Sequence, residues 1–202
     1  MHKAIIFDLG KVLVSFDFKI GYRALEAVCP YVAEEVRARI KQTGLVEPFE
    51  RGLIDPREFV DKLSAALDLR AQYGDFCQIW GSIFDRQLIA DQVLESLAAR
   101  YRLLLLSNTN ALHWEMIREK YPMVGYFHDC ILSFEVHSMK PEAAIFRAAV
   151  ARAGCQPEEC FFTDDIAVNV EGARREGLDA VQFHSPAQLE EEMARLGIGW
   201  EG

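Results

Sequence analysis

Short apolar runs recur at residues 4–7, 103–106, 130–132, 160–162 and 180–183, bounded by acidic or small polar residues. Uniform runs of this length predict strands buried on both faces. Amphipathic stretches over 87–100, 110–120, 141–153, 167–176 and 186–196 predict helices around the later runs. Strands alternating with helices in this way predict an α/β fold, with a parallel sheet covered by helices.

The rhythm breaks once. Residues 15 to 88 carry no strand pattern and read as helices over 20–28, 33–42, 56–67 and 71–83, with Pro30 and Pro56 as punctuation. A helical cap over 15–88 is therefore expected, inserted after the first strand of a core formed by 1–14 and 89–202. Phe49, Phe59, Phe76 and Trp80 are expected to fill the interior of that cap. The chain shows no internal repeat, low-complexity segment or flexible linker.

Composition narrows the function. Net charge is −9, which argues against a nucleic-acid backbone as partner. The longest strand-like apolar run, 103–106, is too short to span a bilayer. Five cysteines without a C-x-x-C pair fit reduced thiols, and no signal-peptide layout precedes the first strand, so a cytoplasmic protein is expected.

The candidate chemistry sits where the apolar runs end. Asp8 closes the first run and is followed by Leu9 and Gly10. In parallel sheets the carboxyl ends of strands hold ligands. The second run ends in Ser107-Asn108-Thr109-Asn110, which suits anion binding at a helix start and equally suits a simple helix cap. Lys140 precedes Pro141, read as the first residue of a helix. A cation gains nothing from the positive end of a helix dipole, and a bound anion would resolve that conflict. The fourth run ends in Asp164-Asp165, adjacent acids that repel each other unless a cation is present. Mg²⁺ favours such oxygen ligands, and Asn169 is placed to support them.

Together these residues form a kit for phosphoryl transfer. Asp8 is the expected nucleophile. Asp8 and Asp164 would hold Mg²⁺, with Asp165 one layer further out. Ser107, Asn108, Lys140 and the backbone around Leu9 and Gly10 would hold the phosphoryl oxygens. Phe16, Asp17, Glu47, Glu50 and Arg51 are the cap-side candidates for substrate choice. His113 and Trp114 read as packing or surface residues.

In order along the chain, Phe7-Asp8-Leu9-Gly10-Lys11-Val12-Leu13, Leu106-Ser107-Asn108-Thr109-Asn110, Lys140-Pro141 and Thr163-Asp164-Asp165 resemble the four motifs of the haloacid dehalogenase superfamily. Within it, the likeness is greatest to small bacterial sugar-phosphate phosphatases of the alpha-D-glucose-1-phosphate phosphatase type. The resemblance implies a Rossmann-like three-layer core with a mobile helical cap, Mg²⁺ as cofactor and an aspartyl-phosphate intermediate. It implies a small phosphate ester as substrate, no nucleic-acid or membrane partner, and a monomer or homodimer.

One position departs from the pattern. Most phosphatases of the superfamily carry a second Asp two residues after the nucleophile, where this chain has Gly10. The carbonyl of Gly10 can still ligate a metal, but the acid that protonates the leaving group is missing. Such help is worth about 10²–10⁴ in rate. The chain would be a slower phosphatase, draw its acid from elsewhere, or act on activated esters such as sugar 1-phosphates that need little acid. Two alternatives remain: a metal-free 2-haloacid dehalogenase, and a weakened domain that binds a ligand and regulates.

Overall fold

A computed structural model describes residues 1–199; residues 200–202, the tail of the expected 89–202 span, lie outside the described residues. The strands are β1 (Ala4–Phe7), β2 (Val14–Phe16), β3 (Phe84–Gln87), β4 (Arg102–Ser107), β5 (Asp129–Leu132), β6 (Cys160–Asp164) and β7 (Asp179–Gln182). Five of them form one parallel sheet in the order β5-β4-β1-β6-β7.

The uniform apolar runs follow from this arrangement, because both sheet faces are buried. Ile5, Phe7, Leu103, Leu105 and Phe161 point to one face, and Ala4, Ile6, Leu104, Leu106, Cys160 and Phe162 to the other. The first face is covered by α6 (Asp91–Ala98), α7 (Ala111–Lys120) and α11 (Pro186–Arg195). The second is covered by α9 (Ala143–Ala153) and α10 (Ala167–Arg175). A short helix α8 (Ser133–Val136) follows β5. The result is a three-layer, Rossmann-like α/β fold.

Between β2 and β3 lie α1 (Phe18–Glu26), α2 (Ala33–Thr43), α3 (Val46–Glu50), α4 (Pro56–Ala66) and α5 (Tyr73–Gly81). They enclose an apolar cluster of their own that includes Phe49, Phe59, Phe76 and Trp80. Leu112 of α7 joins this cluster, and the Trp80 and His113 rings stack at 5.4 Å. The helical insertion therefore packs directly on the sheet-bearing part of the chain.

Two expectations are corrected. Residues 15–88 are not free of strand: β2 and β3 pair antiparallel, Val14 with Gln87 and Phe16 with Phe84. Phe84-Asp85-Arg86-Gln87 is too short and polar to signal a strand alone, and the ladder comes from a partner about seventy residues away. The helix expected over 141–153 starts at Ala143, with Glu142 extended at its cap, so Pro141 lies before the helix. Among the described residues no helix is long and apolar enough to cross a membrane.

Candidate active site

The strand order places β1 centrally, with β4 and β5 on one side and β6 and β7 on the other. The chain switches direction about β1, which opens a crevice at the carboxyl ends of the strands. Asp8 directly follows β1, and its N–H donates to the Thr163 carbonyl at 3.0 Å. Ser107 ends β4 and Asp164 ends β6. Three neighbouring strands thus deliver two acids and a hydroxyl to one rim.

Lys140 reaches the same point from the loop between α8 and α9. Its ammonium donates to Asp8 Oδ1 at 2.5 Å, to Asp164 Oδ2 at 2.6 Å and to the Leu106 carbonyl at 3.1 Å. The conflict between Lys140 and a helix start is resolved by these carboxylates. Burial works against the Lys140 charge, but Asp8 and Asp164 outweigh it and hold the pKa above its ordinary value. Burial pushes the Asp8 carboxyl up to about 7, against the downward pull of Lys140 and with a further push from Asp164.

The supporting amides are committed to this cluster. Asn169 Nδ2 donates to both oxygens of the fully buried Asp164, at 3.0 and 3.1 Å, and the Ile166 N–H adds a bond at 2.8 Å. Asn108 clamps the Lys140 backbone from both sides: its Oδ1 accepts the N–H at 2.8 Å and its Nδ2 donates to the carbonyl at 3.0 Å. The Asn108 side chain is thereby engaged by the Lys140 backbone, and Asn108 also lines the cavity that opens on this cluster.

Asp8, Asp164 and Asp165 each bring one carboxylate oxygen within 4.8 Å of the others. Burial and the Asp164 charge raise the Asp165 pKa, while Lys11 and Lys140 pull it down. Three carboxylates against the ammonium groups of Lys140 and Lys11 leave the cluster short of positive charge. An all-oxygen donor set suits a hard divalent cation, so these residues fit a metal.

A cavity of about 180 Å³ opens on this cluster. Its floor is Asp8, Leu9, Gly10, Ser107, Lys140 and Asp165; its opposite wall includes Phe16, Phe18, Glu50, Ile83 and His113. Of the cap-side candidates, Phe16 and Glu50 therefore face the site, whereas Asp17, Glu47 and Arg51 do not. Asp17 caps α1, accepting from Lys19 N–H at 2.9 Å. Glu47 is exposed and pairs with Arg51, whose guanidinium also grips both oxygens of Glu142 at 2.6 and 3.2 Å. Lys11, Phe18 and Ile83 line the cavity without having been singled out. Lys11 lies within the first motif, but Phe18 and Ile83 carry no signal beyond being apolar.

His113 is packed as expected, yet it also borders the cavity. Its ring lies 3.0 Å from Asn110 Nδ2 and 3.1 Å from the Trp80 carbonyl, and burial lowers its pKa to about 4. It is a neutral, fully engaged imidazole.

Residues 2–177 match the model of the haloacid dehalogenase-like hydrolase family, and the chain belongs to that family. It is 28% identical over 213 aligned residues to the D-ribitol-5-phosphate phosphatase of Bacteroides thetaiotaomicron, spanning 96% of this chain and 97% of that protein. A HAD family enzyme from the same organism, solved with magnesium and inorganic phosphate, superposes with a TM-score of 0.82 at 27% identity, over 92% of this chain and 96% of that one. A HAD-like family hydrolase from Porphyromonas gingivalis superposes with a TM-score of 0.83 at 25% identity, over 98% and 99%.

Proposed function

We propose that this haloacid dehalogenase-like hydrolase is a Mg²⁺-dependent phosphatase of a small phosphorylated metabolite, working through an aspartyl-phosphate on Asp8. The observation that carries the reading is the convergence of Asp8, Asp164, Asp165 and Lys140 beneath one cavity. The D-ribitol-5-phosphate phosphatase of similar sequence and the magnesium- and phosphate-bound structure of similar fold support it. The same relative favours a sugar or sugar-alcohol phosphate as substrate class, and lends no support to a 1-phosphate over other positions.

In this reading one Asp8 oxygen attacks phosphorus while Lys140 orients the carboxylate and draws charge from the phosphoryl oxygens. The Ser107 hydroxyl and the N–H groups of Leu9 and Gly10 hold the remaining oxygens at the cavity floor. Asp8, the Gly10 carbonyl and Asp164 would hold Mg²⁺, with Asp165 behind them. When bound, the ion neutralises charge on the phosphoryl group. Phe16 and Glu50 border the space left for the organic part of the substrate. Three clustered carboxylates weigh against metal-free halide displacement, which has no task for two of them. The protein would act in the cytoplasm as a monomer or homodimer.

The test is a screen of phosphorylated metabolites by phosphate release, with Mg²⁺ or EDTA, alongside Asp8→Asn. Release that depends on Mg²⁺ and vanishes in the variant is expected. Turnover that survives EDTA, or survives Asp8→Asn, would remove the proposal.

A further inference from the structure

Gly10 leaves the reaction without the acid that usually sits two residues after the nucleophile. The catalytic cavity nevertheless contains one carboxyl with no other task. Glu50 lines the cavity together with Asp8 and Ser107. Among the described residues its carboxylate has no hydrogen bond and no ion pair. The other titratable groups on the cavity wall are occupied. Asp8, Lys140 and Asp165 belong to the charged cluster, and His113 has both ring nitrogens engaged. The Lys11 ammonium lies over the Phe16 ring, 5.4 Å from its centroid.

The Glu50 backbone is also held in place. The Ser133 hydroxyl lies 2.7 Å from the Glu50 carbonyl and 2.9 Å from that of Thr109, and accepts the Thr109 N–H at 2.9 Å. One residue on, His137 Nδ1 donates to the Arg51 carbonyl at 2.8 Å while Arg51 grips Glu142. Gly52 follows with φ +66° against the Phe134 backbone, where no Cβ would fit. The end of α3 is thus tied to α8 and, through Ser133, to Thr109 in the loop after β4, which lines the cavity. A group needed at a reacting atom must be fixed in this way.

Resting on the phosphatase reading, we infer that Glu50 is the general acid and base of this enzyme, supplied by the helical insertion in place of a side chain at position 10. As the bond from Asp8 to phosphorus forms and the bridging P–O bond breaks, the Glu50 carboxyl gives its proton to the departing oxygen. The carboxylate so formed then takes a proton from water as the water oxygen attacks phosphorus. The P–O bond to Asp8 breaks, inorganic phosphate leaves, and both Asp8 and Glu50 return to their starting states. An unactivated alkoxide leaving group is then within reach, and the enzyme is not confined to activated esters.

Burial raises the Glu50 carboxyl to about 7, with a smaller push from Glu47. Both protonation states are therefore populated near neutral pH, as a group that serves first as acid and then as base requires.

The test compares Glu50→Gln with the unmodified enzyme on two Mg²⁺-supported substrates, the best alkyl phosphate from the screen and 4-nitrophenyl phosphate. With the alkyl ester, kcat should fall about 10²- to 10⁴-fold, with no pre-steady-state burst. With the aryl ester, whose leaving group needs no proton, a burst of one nitrophenolate per enzyme should precede slow turnover, and phosphorylated Asp8 should accumulate. Glu50→Asp, which keeps a carboxyl on a shorter arm, should recover part of the alkyl-ester kcat. Alkyl-ester turnover within a few-fold of the unmodified enzyme would overturn the inference. So would equal losses on both esters without a burst, with Glu50→Asp no better than Glu50→Gln. An unmodified enzyme inert towards both esters would overturn the phosphatase reading as well.

Discussion

A Cβ built on Gly10 would lie 2.7 Å from Cε1 of the Phe16 ring. The ring occupies the space that a side chain at position 10 would enter. It is held there edge-on to Phe18 at 5.1 Å and Phe84 at 6.0 Å. The missing acid is therefore not an isolated substitution. The antiparallel ribbon that leads into the helical insertion fills the vacated volume with an aromatic wall, and the carboxyl enters the cavity from Glu50.

Restoring the usual acid alone should fail. Gly10→Asp is expected to destabilise the protein by about 1–3 kcal/mol through overpacking against Phe16. Combined with Phe16→Ala it should cost less than the two single changes summed, because the clash is removed. A double-mutant cycle by urea denaturation measures this coupling; strict additivity would contradict the contact.

Lys140 is the one ammonium held between Asp8 and Asp164, and it is almost fully buried. Lys140→Met should abolish measurable turnover and, in EDTA at pH 7, destabilise the protein by about 3–5 kcal/mol, the cost of leaving buried charge unpaired. Without the ammonium the Asp8 pKa, already raised to about 7 by burial, loses the downward pull of Lys140 and rises further, so the loss should shrink as pH falls. Mg²⁺ should raise the melting temperature of the variant more than that of the unmodified protein. Thermal scans with EDTA or Mg²⁺ check both statements.

His113 carries a pH signature of stability. Its folded pKa is lowered to about 4 by burial, below the ordinary 6.5. The unfolded chain therefore binds a proton first, and stability is full above pH 6.5 and lost as pH falls towards 4. The loss is on the order of 3 kcal/mol. The slope of unfolding free energy against pH in this window should be shallower in His113→Gln, whatever the variant's absolute stability.

Arg51 and Glu142 join the helical insertion to the residue that caps α9. The Arg51 hydrogen bonds hold the Glu142 pKa down to about 2. The stabilisation is present above the ordinary carboxyl pKa of 4.5 and lost as pH falls through about 2. Arg51→Gln should leave stability near neutral pH little changed, as expected of a partly exposed pair. It should move the Glu142 titration, followed by NMR, up towards the ordinary carboxyl range but short of it, because the Ser138 hydroxyl and the Met139 N–H still donate to Glu142. It should also lower kcat several-fold by loosening the segment that carries Glu50. An unshifted Glu142 titration would show that another group depresses it.

Much of this protein was legible residue by residue. The runs that became β1, β4 and β6 stood out because a strand buried on both faces needs apolar residues at every position. Asp8, Ser107 and Asp164 stood out because polar residues that end such runs mark the carboxyl rim of a parallel sheet. Periodicity and turn chemistry depend on neighbours in sequence, so they survive without the fold. The pairing of β2 with β3, the Asn108 clamp on Lys140, the pairing of Arg51 with Glu142 and the choice of Glu50 over Asp17 and Glu47 as the cavity carboxyl were decided only by tertiary structure. Each depends on residues far apart in the chain meeting at one place. The packing of the helical insertion against α7, α8 and the ribbon decides which face of a short helix meets the cavity, and no local pattern encodes that orientation.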